Sequence, residues 1–287
     1  MALIGFLVKA LFWIVGIFAL LHVAVGYLLL RVAQKLPQKE AQGSGFEGGL
    51  RWLKQGLLEA CYTSLQYFSY PIAYLLAYLP LKKPLSLKKD STIPVVFIPG
   101  YCGHRLMGLW LSRTWKQDPA IGPVYTINLW PPLASIPALA EHLQHQVRQI
   151  LAETGSTRVI LVAHSMGGLV ASYMAEYLAQ PGEIAKIISL GTPFAGTWLA
   201  TLGLGENAVQ MCPQSTFLHE LADRIQDSRI PYYCIASRMD NQIIPWDSAL
   251  FANHLAETNH LILEDQGHVG LLFSPIVINQ ISQWIKT

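Results

Sequence analysis

Val159-Ile160-Leu161-Val162-Ala163-His164-Ser165-Met166-Gly167-Gly168-Leu169-Val170 is the stretch on which the fold is decided. Its first five residues are apolar without interruption, the pattern of a strand buried on both faces of a parallel sheet. Its last residues read as a helix packing back on that sheet. Between them the chain must turn sharply, with Ser165 at the tip and only small residues around it. This is the spacing of a nucleophile elbow, G-x-S-x-G. Here the first glycine is Ala163, which adds only a Cβ and still permits a close strand–helix approach. The competing reading is an ordinary strand-to-helix turn that happens to hold a serine, and residues further along decide between them.

A serine hydroxyl is a weak nucleophile at neutral pH. It needs a base within hydrogen-bond reach, and the base needs an acid that fixes its tautomer. On elbows of this kind the chain order is serine, acid, histidine. Ile235-Ala236-Ser237-Arg238-Met239-Asp240 runs from a strand into a turn and offers Asp240 as the acid, with Ile243-Ile244-Pro245 anchoring the return. Turn capping is the ordinary job of such an aspartate, and Asp247 is the nearest rival. Asp265-Gln266-Gly267-His268 offers His268 as the base, after a strand and a glycine turn. His260 reads as a strand-entry residue, His254 as a surface residue and His164 as a packing neighbour of the serine. His142 and His145 share a helix face, but two histidines without a third ligand are a weak metal signal.

The oxyanion that forms on the attacked carbonyl needs backbone donors. Met166 supplies one N–H, as the residue after the serine. Tyr101, in the loop Pro99-Gly100-Tyr101-Cys102-Gly103-His104 after an earlier strand, is the candidate for the second. Cys102 and His104 also invite a cysteine–histidine protease reading. They lie too close in sequence for the usual layout, and no elbow surrounds Cys102.

Around the elbow, strands are expected at Ile93–Ile98, Val124–Leu129, Arg158–Ala163, Ile184–Leu190, Tyr232–Ala236 and His260–Leu263. Helices are expected at Ala138–Glu153, closed by Gly155, and at Gly270–Ile285. Strands alternating with helices imply a mainly parallel sheet with helices on both faces. Ala195 to Ile230 is a long insertion between sheet elements, rich in Trp198, Leu199, Leu202, Leu204, Met211 and Phe217. It reads as a lid or acyl-binding wall, or as a helical excursion that closes the core.

With these residues in view, the region from about Ile93 to the C-terminus resembles the α/β-hydrolase superfamily, specifically its bacterial lipase/esterase group. The likeness rests on Ala163-His164-Ser165-Met166-Gly167-Gly168, on Leu190-Gly191-Thr192-Pro193-Phe194-Ala195-Gly196-Thr197, on Ser237 to Pro245 and on Gly267-His268. It implies an α/β-hydrolase fold of about six mainly parallel strands with a lid over residues 195–230. It also implies a serine carboxylic ester hydrolase acting on lipid esters, with Ser165, Asp240 and His268 as triad and no metal or organic cofactor required. Two features depart from the pattern. The loop opens Pro99-Gly100 where His-Gly is usual, and the domain begins at the third strand of the full fold. An acyltransferase using the same acyl-enzyme, or a non-catalytic interaction module on the scaffold, are the alternatives.

The segment before about Ser91 is not covered by that likeness. From Ala10 to Leu30 no residue carries a formal charge, which meets the roughly 20 residues needed to cross a bilayer core. A cleaved signal peptide would have a shorter apolar core and a small-residue cleavage site. Gly43-Ser44-Gly45-Phe46-Glu47-Gly48-Gly49 matches G-x-G-x-x-G but follows no strand, so it reads as a linker. Ala60 to Leu81 is a second uncharged stretch, with Tyr67, Tyr70, Tyr74 and Tyr78 at helical spacing. It reads as a second span, an interfacial helix or a helix docked on the catalytic domain, with tyrosine favouring the interface. The expected organisation is an anchor over 1–35, a linker and hydrophobic helix over 36–90, and a catalytic domain over 91–287. Arg31, Lys35, Lys39, Arg51 and Lys54 follow the first stretch and Lys82, Lys83, Lys88 and Lys89 the second. With one true span the positive-inside rule puts the catalytic domain in the cytoplasm, whereas a two-span hairpin must leave one basic group outside. The bacterial likeness implies an inner membrane.

Composition agrees. Of 287 residues 52% are hydrophobic and only 13% charged, about half the charged share of an ordinary soluble domain. A net charge of +2 gives no footing for nucleic acid. The four cysteines form neither a CxxC pair nor a zinc pattern.

Overall fold

The computed structural model describes residues 16, 17, 19–31, 46–77, 93–251 and 259–287. Two helices precede the sheet, α1 over 19–31 and α2 over Phe46–Ala77. Six strands follow: β1 Val95–Ile98, β2 Val124–Thr126, β3 Val159–His164, β4 Ile184–Leu190, β5 Tyr232–Ser237 and β6 His260–Leu263. They form one sheet in the order β2-β1-β3-β4-β5-β6, every pair parallel. The order reverses between β1 and β3. That is the switch point outside the carboxyl ends of the strands, where open parallel sheets bind ligands.

Every residue of β1 and β3 is buried, as a strand covered on both sides requires. Alternate side chains divide between two layers. Val96, Ile98, Leu161 and Ala163 pack with α4 (Ile136–Thr154), α5 (Met166–Tyr173) and α7 (Thr216–Gln226). Val95, Phe97, Ile160 and Val162 pack with α3 (Leu109–Gln117) and α8 (Pro275–Lys286). Each fully buried side chain of this size stabilises the fold by ~1.5–3 kcal/mol. The helix α4 starts where Ser135 Oγ accepts from Ala138 N and stops where Gly155 takes φ 68°.

Three elements differ from expectation. The second strand stops at Thr126, beyond which Asn128 is held sideways by Arg105 N and Gln146 Nε2. The last helix is broken in two, a 3-10 turn over Val269–Phe273 and then α8. Ser274, before Pro275, is extended at φ −73°, ψ 121°, because proline disfavours helical geometry in the residue ahead of it. The expected linker over residues 43–49 is helical from Phe46 onward; residues 43–45 lie outside the described residues.

Among the described residues no helix is long and apolar enough to cross a membrane. Of the Ala10–Leu30 stretch, residues 10–15 and 18 lie outside the description. The rest is a helix with two faces. Ala19, Val23 and Leu30 are buried, and a methyl on Gly26 would collide with Asn241 O of the catalytic domain. Ile17, Leu20, Leu21, Val25 and Leu28 face outward. The helix α2 is likewise two-sided, docked through Glu59, Tyr62 and Ser69 and exposing Leu53, Leu57, Leu65 and Ile72. Of the Ala60–Leu81 stretch, residues 78–81 are not described.

Within the 195–230 insertion, α7 buries Leu218, Leu221 and Ile225 and closes the core. The preceding part, a 3-10 turn over Trp198–Leu202 and the short α6 (Glu206–Gln210), leaves Trp198, Leu202, Leu204 and Val209 exposed.

Candidate active site

Ser165 closes the tight turn between β3 and α5 with φ 57° and ψ −133°, a backbone conformation that L residues avoid. Such strain costs ~1–3 kcal/mol and persists only where the surroundings impose it. They do so here by close approach. A methyl on Gly167 would lie 2.5 Å from Pro99 O, and one on Gly168 would collide with the Thr192 side chain. Ser165 N donates to Leu190 O at 2.8 Å, pinning the turn to the end of β4.

Asp240 and His268 meet at the carboxyl end of β5. His268 Nδ1 and Asp240 Oδ2 are 2.8 Å apart, both side chains essentially buried. The other oxygen, Oδ1, accepts from Gln242 N and Ile243 N. The capping role and the orienting role thus fall to different oxygens of one carboxylate. Burial alone would lower the pKa of His268. The charge and hydrogen bond of Asp240, with Glu59 adding to them, outweigh burial and raise it above its ordinary value. With Nδ1–H donating to Asp240, the lone pair of Nε2 is left to take a proton.

The serine's turn is joined to this pair through its neighbours. Gly191, next after Leu190, lies under it: a methyl there would be 2.9 Å from Asp240 Oδ2 and 3.1 Å from His268 Nδ1. The His164 and His268 rings are 4.6 Å apart. Among the hydrogen bonds of the described residues none joins Ser165 Oγ to His268; such bonds often tighten only when substrate is bound. His164 is buried, and burial holds its pKa well below the usual value. Its Nε2–H donates to His268 O at 3.1 Å. It is the packing neighbour expected from sequence, and it also fixes the histidine's backbone.

Gly100 borders the serine on the other side, a methyl there falling 2.6 Å from Ser165 Cβ and 3.1 Å from His164 O. Tyr101 follows directly in the chain, and Met166, next after the serine, is the first residue of α5. N–H groups in a first helical turn have no partner within the helix. The Tyr101 hydroxyl turns away, donating to Leu204 O at 2.8 Å and accepting from Leu204 N at 2.9 Å, which ties this loop to the insertion.

The remaining candidates are elsewhere engaged. His104 donates to Ser69 Oγ of α2 at 3.0 Å, and burial pushes the Cys102 thiol up, so these two form no thiolate–imidazole pair. His142 Nδ1 accepts from Trp130 N and His145 bonds Gln149. Asp247 sits in a 3-10 turn over Trp246–Ala249, and His260 opens β6. His254 lies outside the described residues. Among the described residues no three His, Cys, Asp or Glu are grouped to hold a metal ion.

Sequence reasoning missed two residues. Asn241 Oδ1 accepts from His268 N at 3.2 Å. Glu59, far away in the chain, accepts from Val269 N at 2.6 Å and Gly270 N at 2.9 Å. A signal for Glu59 was present: it is the only charged residue between Lys54 and Lys82, and a lone carboxylate in an apolar helix is costly unless something holds it.

Comparison with known proteins bears on the fold. Residues 93–206 match the model of the alpha/beta hydrolase fold family, a span that includes the elbow and ends before Asp240 and His268. The chain carries the α/β-hydrolase fold, as the sequence resemblance implied. Over 60 residues it is 42% identical to a triacylglycerol lipase of Pseudarthrobacter phenanthrenivorans and to one of Burkholderia plantarii. That stretch is 21% of this chain and 18% and 16% of theirs, so it spans a small part of those lipases. Among solved structures, lipase BlEst2 of Bacillus licheniformis in its mature form superposes with a TM-score of 0.59 at 16% identity, over 72% of this chain and 96% of that one. Lipase B of Aspergillus fumigatus gives 0.57 at 18% identity, over 69% and 54%.

Proposed function

We propose that this chain is a serine hydrolase of the lipase/esterase kind that cleaves carboxylic esters of lipids through an acyl-serine intermediate. The observation that carries the reading is the buried Asp240–His268 hydrogen bond of 2.8 Å together with a strained Ser165 at the switch point of the sheet. Ser165 Oγ attacks the acyl carbonyl as His268 Nε2 takes its proton. The oxyanion lies against the N–H groups of Met166 and Tyr101, each worth ~2.7–4 kcal/mol in the transition state. The C–O bond to the alcohol breaks as His268 returns the proton to the leaving oxygen. Water, deprotonated in turn by His268, then releases the acid. Asp240 keeps the imidazole in the tautomer both steps require.

The lipid assignment draws on the apolar surfaces. Trp198, Leu202, Leu204 and Val209 of the insertion stand exposed, tied to the Tyr101 loop, as a lid or acyl-binding wall would be. The outward apolar faces of α1 and α2 hold the enzyme at a membrane. Because Gly26 is packed on Asn241, the described part of α1 serves as a peripheral anchor with its inner face given to protein. Arg31, Lys35 and Lys39 after α1 favour the anionic cytoplasmic leaflet as the surface on which that anchor rests. Purified protein assayed on p-nitrophenyl esters and phospholipids, with Ser165→Ala as control, tests the reading. We expect free acid from wild type only. Acyl chains transferred to an alcohol would make it an acyltransferase, and no turnover by folded protein would contradict the reading.

A further inference from the structure

We propose that Glu59 of α2 is a positioning residue for His268, holding from outside the catalytic domain the turn on which the base is carried; this rests on the serine-hydrolase reading above. Every other support of His268 comes from within that domain: Asp240 on Nδ1, Asn241 on its N–H and His164 on its carbonyl. The next two N–H groups, of Val269 and Gly270, both point at the Glu59 carboxylate, one to each oxygen. Gly267, just before His268, is bare on this side, and a methyl there would collide with Glu59. One helical turn later Tyr62 stacks on Phe273, rings 4.5 Å apart and nearly parallel. The helix α2 thus grips both ends of the Val269–Phe273 turn.

The chemistry favours a function over mere packing. Burying a carboxylate costs several kcal/mol unless it is hydrogen-bonded, whereas leucine would dock a helix without that cost. Burial pushes the Glu59 pKa up to about 7, against the two N–H groups, which favour its ionised form. Once ionised it favours the imidazolium that His268 becomes when it takes the serine proton. Glu59 itself exchanges no proton with substrate. The titratable groups facing this cluster are Asp240, His268 and His164 from the catalytic domain, and His22 and Tyr27 from α1.

The test uses the full-length chain in detergent, with kcat and KM for a p-nitrophenyl ester measured across pH for wild type, Glu59→Gln, Glu59→Asp and Tyr62→Leu. Glu59→Gln should lower kcat on the order of 10- to 100-fold with KM within about twofold, as a misplaced base does. Its acid limb should move to lower pH by on the order of 0.5 unit, because a negative neighbour of His268 is gone. Glu59→Asp keeps the charge but is too short to reach both N–H groups, so kcat should fall with the acid limb unmoved. Tyr62→Leu, which weakens docking alone, should leave the limb at its wild-type position. If Glu59→Gln does not fold, Glu59→Asp decides, and full kcat there overturns the proposal. So does a folded Glu59→Gln with wild-type kcat and acid limb. If wild type is not labelled by a fluorophosphonate, the hydrolase reading fails by itself. The NMR titration of the His268 imidazole in wild type and Glu59→Gln then tests the contact without turnover, and an unchanged midpoint overturns it.

Discussion

Gly100 lies directly against Ser165, leaving no room for a side chain: a methyl on the glycine would sit 2.6 Å from the serine Cβ and 3.2 Å from its Oγ. The contact joins the loop after β1 to the elbow after β3, across the point where the strand order reverses. Under the proposed mechanism it sets how far the Tyr101 N–H stands from the attacking oxygen.

Gly100→Ala should therefore harm catalysis more than folding. Forcing a methyl into a packed site costs ~1–3 kcal/mol, and the nearest atoms to yield are those of Ser165. We expect kcat to fall on the order of 100-fold, with the protein still folding and its urea midpoint lowered by no more than that ~1–3 kcal/mol implies. Steady-state kinetics and a denaturation curve on the same preparation measure both.

Asp240→Asn separates the two jobs of one carboxylate. An amide can still cap the turn through its oxygen while its NH2 group faces His268 Nδ1, which favours the wrong tautomer. We expect a loss on the order of 10³- to 10⁴-fold in kcat. The pH dependence follows from the sign of the shift. His268 acts as a base only when neutral, and Asp240 raises its pKa above 6.5. Wild-type kcat/KM should thus rise with pH through a midpoint above 6.5, and the residual activity of the variant should rise through a lower one.

Gly168→Ala tests the packing of the elbow helix on the sheet. The added methyl would collide with Thr192, which is fully buried. We expect a loss of ~1–3 kcal/mol in folding stability. Combining it with Thr192→Ala removes the two nearest colliding atoms, Oγ1 and Cγ2, and leaves only the Cβ, so the double variant should be more stable than the sum of the two losses. Urea unfolding of the four proteins gives the coupling.

Tyr101→Phe removes the hydroxyl that both donates to and accepts from Leu204. The insertion should loosen at its tip while the sheet stays closed. Hydrogen exchange should quicken at the Leu204 amide and stay unchanged at Val162.

Much of this was written in the chain. The unbroken Val159–Ala163 run and the small residues after Ser165 encode strand, turn and helix locally, and Asp240 and His268 each follow a strand. What escaped was carried by distance. Glu59 lies more than 200 positions from the turn it holds, and nothing near it in sequence names its partner. The break at Ser274 was legible in Pro275 but masked by the apolar rhythm running through it. The inner face of α1 could not be told from a bilayer-facing one, because a helix against apolar protein and a helix in lipid need the same side chains.

The central claim is that Ser165 is a nucleophile activated by His268. Intact-mass spectrometry after exposure to a fluorophosphonate, followed by peptide mapping, tests it most directly. We expect one adduct per chain, on Ser165, absent from Ser165→Ala and strongly slowed in His268→Ala. Folded wild-type protein that stays unmodified, or carries its adduct on another residue, would contradict it.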